Sequence, residues 1–197
     1  MKKILVQLWM LLLLAVLARG EFVFDQQSVT NDAPDEHSLV TDFPTNIVYG
    51  QSFIPSLSLI DKVELILGDA PGRGDGGATV SVDLWSGGIG TGTLEGSAQP
   101  VYIPVSFSGY TNFFFSTPVT LTPSDTYFLA VSQAGNDIIS LEETFNNYPD
   151  GVAYVNGTSQ PVFDLWFREG ATVVPEPSTI SLILCGAVGI YFSRRRN

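Results

Sequence analysis

The chain has 197 residues, and its 20 Asp and Glu outnumber nine Lys and Arg, which gives a formal net charge of −11. Six of the nine basic residues lie in the first 20 and the last 23 residues, so residues 21–174 hold 19 acids against Lys62, Arg73 and Arg168, a formal charge of −16. A surface this acidic repels a phosphate backbone and has no basic patch that could displace counterions, so nucleic-acid binding is excluded.

The N-terminus has the three parts of a secretory signal peptide. Met1-Lys2-Lys3 is positively charged, residues 4–17 are apolar, and Ala18-Arg19-Gly20 has the small-x-small pattern of a cleavage site. We expect residues 1–20 to direct export through the Sec machinery and to be removed by signal peptidase, so that the mature chain begins at Glu21 or one residue later. No cysteine lies near that site, which excludes a lipoprotein anchor.

The body of the chain, residues 21–173, is predicted to be one domain made of short β-strands. Runs rich in β-branched and aromatic residues, which favour strands, are separated by clusters of Gly, Pro, Asp and Asn, which favour turns. In the clearest run, Val80, Val82 and Leu84 occupy every second position, as the buried side chains of a strand with one buried face do. The predicted strands are residues 47–54, 57–67, 78–85, 101–107, 111–115, 119–121, 126–132, 151–155 and 162–168. This spacing predicts an all-β fold, an antiparallel β-sandwich that is jelly-roll-like.

Three segments of the body carry more local predictions. Asn156-Gly157 between two β-rich runs predicts a type I′ turn that joins residues 154–155 to the strand beginning at Val162. Three consecutive rings, Phe113-Phe114-Phe115, are most simply explained by a strand that is buried on both faces. Residues 141–148 have no clear strand pattern, so we expect one helical turn or a loop there.

The glycine-rich connection at residues 68–77 contains Asp69 and Asp75. Ca²⁺ takes about six to eight oxygen ligands from flexible segments of this kind, so a structural calcium ion is one hypothesis for this loop. The spacing fits no EF-hand, and a long strand connection that needs glycine at positive φ explains the composition more simply. We therefore assign no metal-ligating residue and expect no other cofactor.

The body shows no catalytic motif. His37, the single histidine, follows Asp35 and Glu36 without a second His or Cys to complete a zinc site, and no nucleophile-elbow motif is present. Glu142-Glu143 could act as paired carboxylates, but adjacent acids are expected on a solvated surface of this composition. We predict that the protein is not an enzyme, and a secreted hydrolase that uses acidic residues is the alternative from another class.

Two tryptophans are candidate binding residues. Strand alternation places Trp85 on the face of Asp83, and Trp166 on the face of Asp164 and Arg168, in both cases away from the apolar stripe. Sugar rings dock on exposed aromatic faces beside carboxylates, so Trp85 and Trp166 are candidate glycan contacts. A carbohydrate-binding module or adhesin is therefore the alternative function. The competing explanation is that both rings are partly covered or cap the core.

The C-terminus combines a stiff hinge, an apolar segment and a cationic end. Pro175 and Pro177 flank Glu176, residues 180–192 are apolar, and Arg194, Arg195 and Arg196 follow. The apolar run has 13 residues, and about 1.5 Å of rise per residue gives a helix of roughly 20 Å, short for a hydrocarbon core of about 30 Å. We predict a short transmembrane helix with the arginines on the cytoplasmic side and the body outside.

This tail, residues 174–197, resembles the PEP-CTERM sorting signal of exported bacterial proteins in its Pro-Glu-Pro motif, short apolar run and basic end. The resemblance implies that Pro175, Glu176 and Pro177 are recognised by an exosortase, a membrane cysteine protease, and that the arginines are the membrane stop. It also implies a protein anchored in the inner membrane before processing and then released to the envelope, the surface or an exopolysaccharide matrix. An ordinary single-pass anchor is the alternative, although it needs neither the motif nor so short a span.

The body resembles the β-sandwich domains with varied C-terminal anchors that are called choice-of-anchor domains. The likeness lies in Gly50-Gln51-Ser52-Phe53 before an apolar strand, residues 80–85 before a glycine-rich turn, residues 121–131, and the closing Phe163-Asp164-Leu165-Trp166-Phe167-Arg168. It implies a sandwich fold and no assigned activity. The sequence therefore predicts an exported, non-enzymatic envelope or matrix protein with a structural or interaction role.

Overall fold

The computed structural model describes residues 21–29, 39–69, 76–135 and 137–173. The predicted signal peptide and sorting tail lie outside the described residues, as do His37 and Asp75. Residues 23–171 form one compact unit, and the second unit consists almost wholly of residues outside the described ranges. The described residues contain no α-helix and form these strands: β1 (Glu21–Ser28), β2 (Leu39–Phe43), β3 (Tyr49–Phe53), β4 (Leu59–Asp69), β5 (Ala78–Ser86), β6 (Thr93–Ser97), β7 (Val101–Ile103), β8 (Ser108–Thr120), β9 (Tyr127–Gly135), β10 (Ile139–Thr144), β11 (Ala153–Val155), β12 (Thr158–Gln160), β13 (Asp164–Leu165) and β14 (Phe167–Val173).

The strands form two sheets of seven strands each. Sheet I has the order β1-β14-β4-β10-β13, with β2 added to β10 and β8 added to β4. Sheet II has the order β12-β11-β3-β9-β5-β6, with β7 added to β5. The chain crosses repeatedly between the sheets, since β3 and β5 lie in sheet II while β4 between them lies in sheet I. Crossings of this kind allow strands that are neighbours in sequence to bury their apolar faces against each other across one core.

The core lies between the two sheets. Inward side chains of both sheets belong to one buried cluster, and the ring centroids of Phe53 in sheet II and Phe167 in sheet I lie 6.3 Å apart. The predicted alternation of β5 is confirmed, because Val80, Val82 and Leu84 have no exposed surface. Burying a side chain of this size stabilises a fold by about 1.5–3 kcal/mol relative to leaving it exposed. The predicted all-β class and antiparallel β-sandwich are thus confirmed.

β4 is the central strand of sheet I and is paired along both edges. β8 pairs with one edge over nearly the whole length of β4, whereas the other edge is shared by β14, opposite the middle of β4, and β10, opposite its end. Successive side chains of a strand point to opposite faces. Val63 and Leu65 therefore enter the core, where they have no exposed surface, and Lys62 and Glu64 lie on the outer face.

Residues 141–148 are expected to form a helical turn or a loop, and the structure divides this segment. Residues 145–148 form the expected loop, whereas residues 141–144 belong to β10. β10 pairs with β2 on one edge and with β4 and β13 on the other. Hydrogen bonding along both edges, and not local propensity, makes this segment a strand. The prediction is wrong for residues 141–144 because the partners of this strand are distant in sequence.

β8 is one long strand where the sequence predicts two short ones. Phe114 pairs with Lys62 and Val119 pairs with Ile60, so residues 115–118 form an irregularity in the register. The proline in this segment interrupts the strand pattern of the sequence. It is tolerated because it lies where the hydrogen-bond ladder with β4 is already interrupted. The strand therefore continues past a residue that normally ends one.

The expectation that three consecutive phenylalanines are buried is wrong. Phe113 and Phe115 are buried in the core cluster, but Phe114 is 53% exposed. An antiparallel sheet can have one face in the core and one in solvent, and β8 follows that pattern. The outward ring of Phe114 thus becomes part of the surface described below.

The type I′ turn at Asn156-Gly157 is confirmed. φ is +48° at Asn156 and +76° at Gly157, and Val155 pairs with Thr158 directly across the two-residue loop. The turn joins β11 to β12 and not to a strand beginning at Val162. The reason is that β12 is a separate short strand at the edge of sheet II, between the turn and β13.

Gly157→Ala should destabilise the sandwich by about 1 kcal/mol. A Cβ added at Gly157 meets no atom within 4 Å, so the cost is the strain of an L-residue in the left-handed region. Gly76 also has open space around an added Cβ but does not have a positive φ. Gly76→Ala is therefore the matched control and should keep or slightly raise stability. Urea unfolding measures both; equal free energies of unfolding would argue against the turn.

Candidate binding faces

The outer face of sheet I carries a cluster of aromatic and charged side chains, which we call the cation–aromatic face. Its members come from β1, β4, β8, β14 and the residue before β14: Phe24, Lys62, Glu64, Tyr110, Phe114, Trp166 and Arg168. Strand register brings them together, because Lys62 pairs with Phe114 and Arg168 pairs with Glu64. Residues that are directly opposite each other on neighbouring strands share one face of a sheet.

Arg168 lies at the centre of this face. Its Nε donates to Oε1 of Glu64 at 2.8 Å, and its Nη2 donates to the same oxygen. The guanidinium carbon lies 4.4 Å from the ring centroid of Phe24, 5.5 Å from that of Tyr110 and 5.2 Å from that of Trp166. Each cation–π contact stabilises by about 0.5–2 kcal/mol, depending on desolvation. The ion pair and the three rings together hold the guanidinium in one position.

The same face concentrates the positive charge of an acidic domain. Nζ of Lys62 lies 3.9 Å from Oε2 of Glu64 and 5.0 Å from the ring centroid of Phe24. Lys62 and Arg168 are the only Lys or Arg residues in the described ranges, since Arg73 lies outside them. Two cations therefore share one buried carboxylate on this face, while the rest of the described surface has acids and no basic side chain.

Trp166 points to the outer face, as strand alternation predicts, but it does not present an open ring. It is only 4% exposed. The ring of Tyr110 lies 5.2 Å away, and the guanidinium of Arg168 packs against the indole. The expectation that Trp166 contacts a glycan directly is thus corrected. Residues distant in sequence cover its ring, so Trp166 is a buried support.

Sequence reasoning did not single out Tyr110, Phe114 or Phe24 as site residues. Tyr110 and Phe114 lie on β8, whose pairing with β4 is a long-range property that alternation within one strand does not show. The one available signal was the scarcity of basic residues in the body, which makes Lys62 and Arg168 conspicuous. Lys62 lies on β4 and Arg168 on β14, which are far apart in sequence. A rule that pairs strands adjacent in sequence would therefore not bring these two cations together.

Trp85 lies half-buried on the outer face of sheet II, as alternation predicts. It pairs with Phe128 of β9, whose ring centroid lies 5.6 Å from that of Tyr154 on β11. Ile89, from the glycine-rich turn after β5, lies over the same face, where a Cβ added to Gly50 would collide with its Cδ1. This second face is aromatic, is partly covered and has no basic side chain among the described residues.

A buried polar bridge joins the two sheets. Asp164 of β13 accepts from Nε2 of Gln51 in β3 at 3.0 Å and from the backbone N–H of Tyr148 at 2.9 Å. Oε1 of Gln51 in turn accepts from the N–H of Leu165 at 2.8 Å. Burial raises the pKa of Asp164, and these hydrogen bonds to its carboxylate lower it in part. The prediction that Asp164 lies beside Trp166 on an exposed face is therefore wrong.

Glu169 of β14 is a second buried acid and has no exposed surface. Burial and the nearby charge of Asp25 raise the pKa of Glu169 to about 8, and the backbone N–H of Gln26 lowers it only in part. Neither carboxyl oxygen has a hydrogen bond of normal geometry in the described part of the chain. The carboxyl group is therefore mostly protonated at neutral pH, the form in which its burial costs less than that of the charged form.

The free energy of unfolding should show a contribution from Glu169 that is lost as pH rises from its ordinary pKa of 4.5 to about 8. In this range the folded state binds a proton that the unfolded chain has released, so stability is full below the range and falls through it. One proton gives a slope of about 1.4 kcal/mol per pH unit. Glu169→Gln should flatten the wild-type slope in urea unfolding, whereas Glu95→Gln, at an exposed acid, should keep it. Parallel slopes for Glu169→Gln and wild type would contradict the raised pKa.

Glu142 and Glu143 do not form a carboxylate pair. They are consecutive residues of β10, so their side chains point to opposite faces of sheet I. Their exposed fractions are 7% and 6%, so the interpretation as solvated surface acids is wrong too. The reason is the one that made this segment a strand: β10 is paired on both edges inside the sheet. Two-carboxylate hydrolysis needs both groups on one side of the substrate bond, which these two residues do not provide.

Asp69 fixes a loop in the described part of the predicted calcium segment. Its Oδ2 accepts from the N–H of Ser106 at 2.6 Å, and its own N–H donates to the carbonyl of Phe107 at 2.7 Å. Asp75 lies outside the described residues, so the calcium hypothesis stays a prediction. In the ranges that the structure covers, no three His, Cys, Asp or Glu side chains are grouped so that they could hold a metal ion.

The sorting-signal residues Pro175, Glu176 and Pro177 and the arginines at positions 194–196 lie outside the described residues. The transmembrane helix predicted at residues 180–192 also lies outside them. Within the described residues, no helix has the length and apolar character that crossing a bilayer needs.

Comparison with known proteins gives no family for this chain. No family model and no curated protein matches it. Among solved structures, the T=13 viral particle of IBDV is 14% identical with a TM-score of 0.32, covering 81% of this chain and 40% of that one. A mutant VP2 protein of infectious bursal disease virus from T=1 particles is 14% identical with a TM-score of 0.27, covering 81% and 41%. This chain thus spans about two fifths of those chains, and TM-scores this low support no statement about its fold or function.

Proposed function

We propose that this chain is an exported bacterial envelope or extracellular-matrix protein, sorted by an exosortase-type system, whose β-sandwich has a non-enzymatic structural or interaction role. The Pro-Glu-Pro motif at residues 175–177, the apolar run and the terminal arginines support sorting, and the predicted leader supports Sec export. The observation that carries the proposal is the order of the three C-terminal elements, since the Pro-Glu-Pro motif, the apolar run and the basic end follow one another directly after the body of the chain.

In this proposal the short helix at residues 180–192 holds the chain in the inner membrane until an exosortase acts on the tail. The arginines after it remain on the cytoplasmic side, so the sandwich lies outside. Processing then releases the sandwich to the envelope, the surface or an exopolysaccharide matrix. The small-x-small pattern of residues 18–20 favours cleavage of the leader before Glu21.

The use of buried and half-buried acids within the domain supports a non-enzymatic role. Asp25 accepts from the backbone N–H groups of Ser56 at 2.7 Å and Leu57 at 2.8 Å. Asp137 accepts from the N–H of Gly77 at 2.8 Å. Carboxylates that satisfy loop N–H groups in this way hold the fold together and are not positioned toward a substrate.

We also propose that the sandwich is jelly-roll-like. Between β3 and β14 the chain passes from one sheet to the other many times, as β8 in sheet I, β9 in sheet II and β10 in sheet I illustrate. Repeated crossing between two antiparallel sheets is typical of jelly-roll and Greek-key connections.

Mass spectrometry of the mature C-terminus from the native host tests the sorting proposal. In the wild-type protein we expect loss of the peptide that contains Arg194 to Arg196, because the tail is processed. A variant with Pro175→Ala, Glu176→Gln and Pro177→Ala should keep the basic end and stay in the inner-membrane fraction. Thr179→Ala, just outside the motif, is the control and should be processed. An intact basic end on all of the wild-type surface protein would sink the proposal in favour of an ordinary anchor.

A further inference from the structure

The cation–aromatic face of sheet I has the chemistry of a binding surface for one class of ligand. We propose that it binds an acidic polysaccharide, a glycan whose sugar rings carry carboxylate groups. The inference deepens the interaction role of the sandwich and rests on that role, since it names the partner and the face that meets it. In this proposal the direct ring contacts with the glycan do not come from Trp85 and Trp166, the two tryptophans that the sequence suggests.

The first observation is a set of exposed rings around a fixed cation. Tyr110 is 57% exposed, Phe114 is 53% exposed and Phe24 is 38% exposed, and all three lie on one face of one sheet. Aromatic rings in this position offer flat apolar surfaces to the C–H face of a sugar ring, and the phenol also offers a hydrogen-bonding group. Rings on an open sheet face fit an extended polymer better than a small molecule, which needs a concave pocket.

The second observation is the unused hydrogen-bonding capacity of Arg168. Its bonds to Glu64 use Nε and Nη2, and within the described residues Nη1 makes no hydrogen bond. The side chain is 28% exposed, so this nitrogen can donate to a ligand carboxylate beside the rings. Guanidinium groups match the planar geometry of carboxylates, and charge-assisted hydrogen bonds of this kind are about twice as strong as neutral ones.

Charge complementarity selects an acidic glycan over a neutral one. Lys62 and Arg168 are the only Lys or Arg residues in the described ranges, and both lie on this face. A polyanion is repelled by the acidic surface elsewhere and attracted here, so the charge distribution orients it toward sheet I. The face of sheet II, with Trp85 and Phe128, has rings but no described cation, and a ligand that needs rings alone would have no reason to prefer sheet I.

The face is also arranged before any ligand binds. Glu64 and three rings hold the guanidinium of Arg168 in place, and strand pairing fixes the spacing of Tyr110 and Phe114. A ligand therefore does not have to order these side chains, which lowers the entropic cost of binding. Preorganisation of this kind is expected of a binding surface, whereas rings that only face solvent do not need it.

The test is the affinity of the full chain, solubilised in detergent, for polygalacturonate, with neutral dextran and polyglutamate as comparison polymers. We expect polygalacturonate alone to bind, with an affinity that decreases as salt is added. Tyr110→Ala should weaken that binding about tenfold, a typical loss for an aromatic anchor. Tyr102→Ala, at a tyrosine with a similar exposure of 60% on sheet II, is the matched control and should bind like wild type.

Three results would overturn the inference: no binding of polygalacturonate, equal binding of dextran, or equal losses for the two tyrosine variants. Binding of polyglutamate as tight as that of polygalacturonate would also overturn it, in favour of an acidic peptide partner. Both substituted tyrosines are largely exposed, and circular dichroism and thermal unfolding confirm that each variant is folded. The assay uses purified protein and no exosortase, so its failure leaves the sorting proposal standing, and a failure of sorting does not alter the binding result.

Discussion

β4 is the strand on which the sandwich and its candidate binding face both depend. Its inward residues Val63 and Leu65 lie in the core without exposed surface. Of its outward residues, Lys62 is one of the two cations of the outer face, and Glu64 contacts both of them. Because side chains alternate with a period of two, a shift of one residue in the register would exchange these two sets. The apolar core therefore fixes which charged side chains face solvent.

Burial explains how so acidic a domain is stable without a disulfide. The body contains no cysteine, so hydrophobic burial between the sheets and internal hydrogen bonds provide its stability. Several acids lie inside and are compensated in different ways. Asp164 accepts hydrogen bonds from Gln51 and Tyr148, Glu64 is paired with Arg168, and Glu169 has its pKa raised to about 8 and stays largely neutral. These three acids thus lower the cost of burial by hydrogen bonding, by ion pairing and by protonation, respectively.

The sequence predicts the fold class well because alternation within a strand is a local property. The buried set of β5 follows directly from it, and the turn at Asn156-Gly157 follows from another local property, the preference of Asn-Gly for positive φ. What alternation does not show is which strands pair, and that decides the site. Alternation places Trp166 on the correct face, yet Tyr110 and Arg168 cover it. Residues 141–144 form a strand only because partners flank both edges of it. The sorting tail is the opposite case, since its motif is read from the chain alone.

Strand register brings Glu64 and Arg168 into a partly buried ion pair at the centre of the outer face. A double-mutant cycle with Glu64→Gln and Arg168→Met, read as free energies of urea unfolding, measures that contact most directly. We expect a coupling energy of roughly 1–3 kcal/mol, the range for a partly buried, charge-assisted contact. Strictly additive effects of the two substitutions would mean that the side chains do not meet, and would contradict both the register of β4 with β14 and the cation–aromatic face.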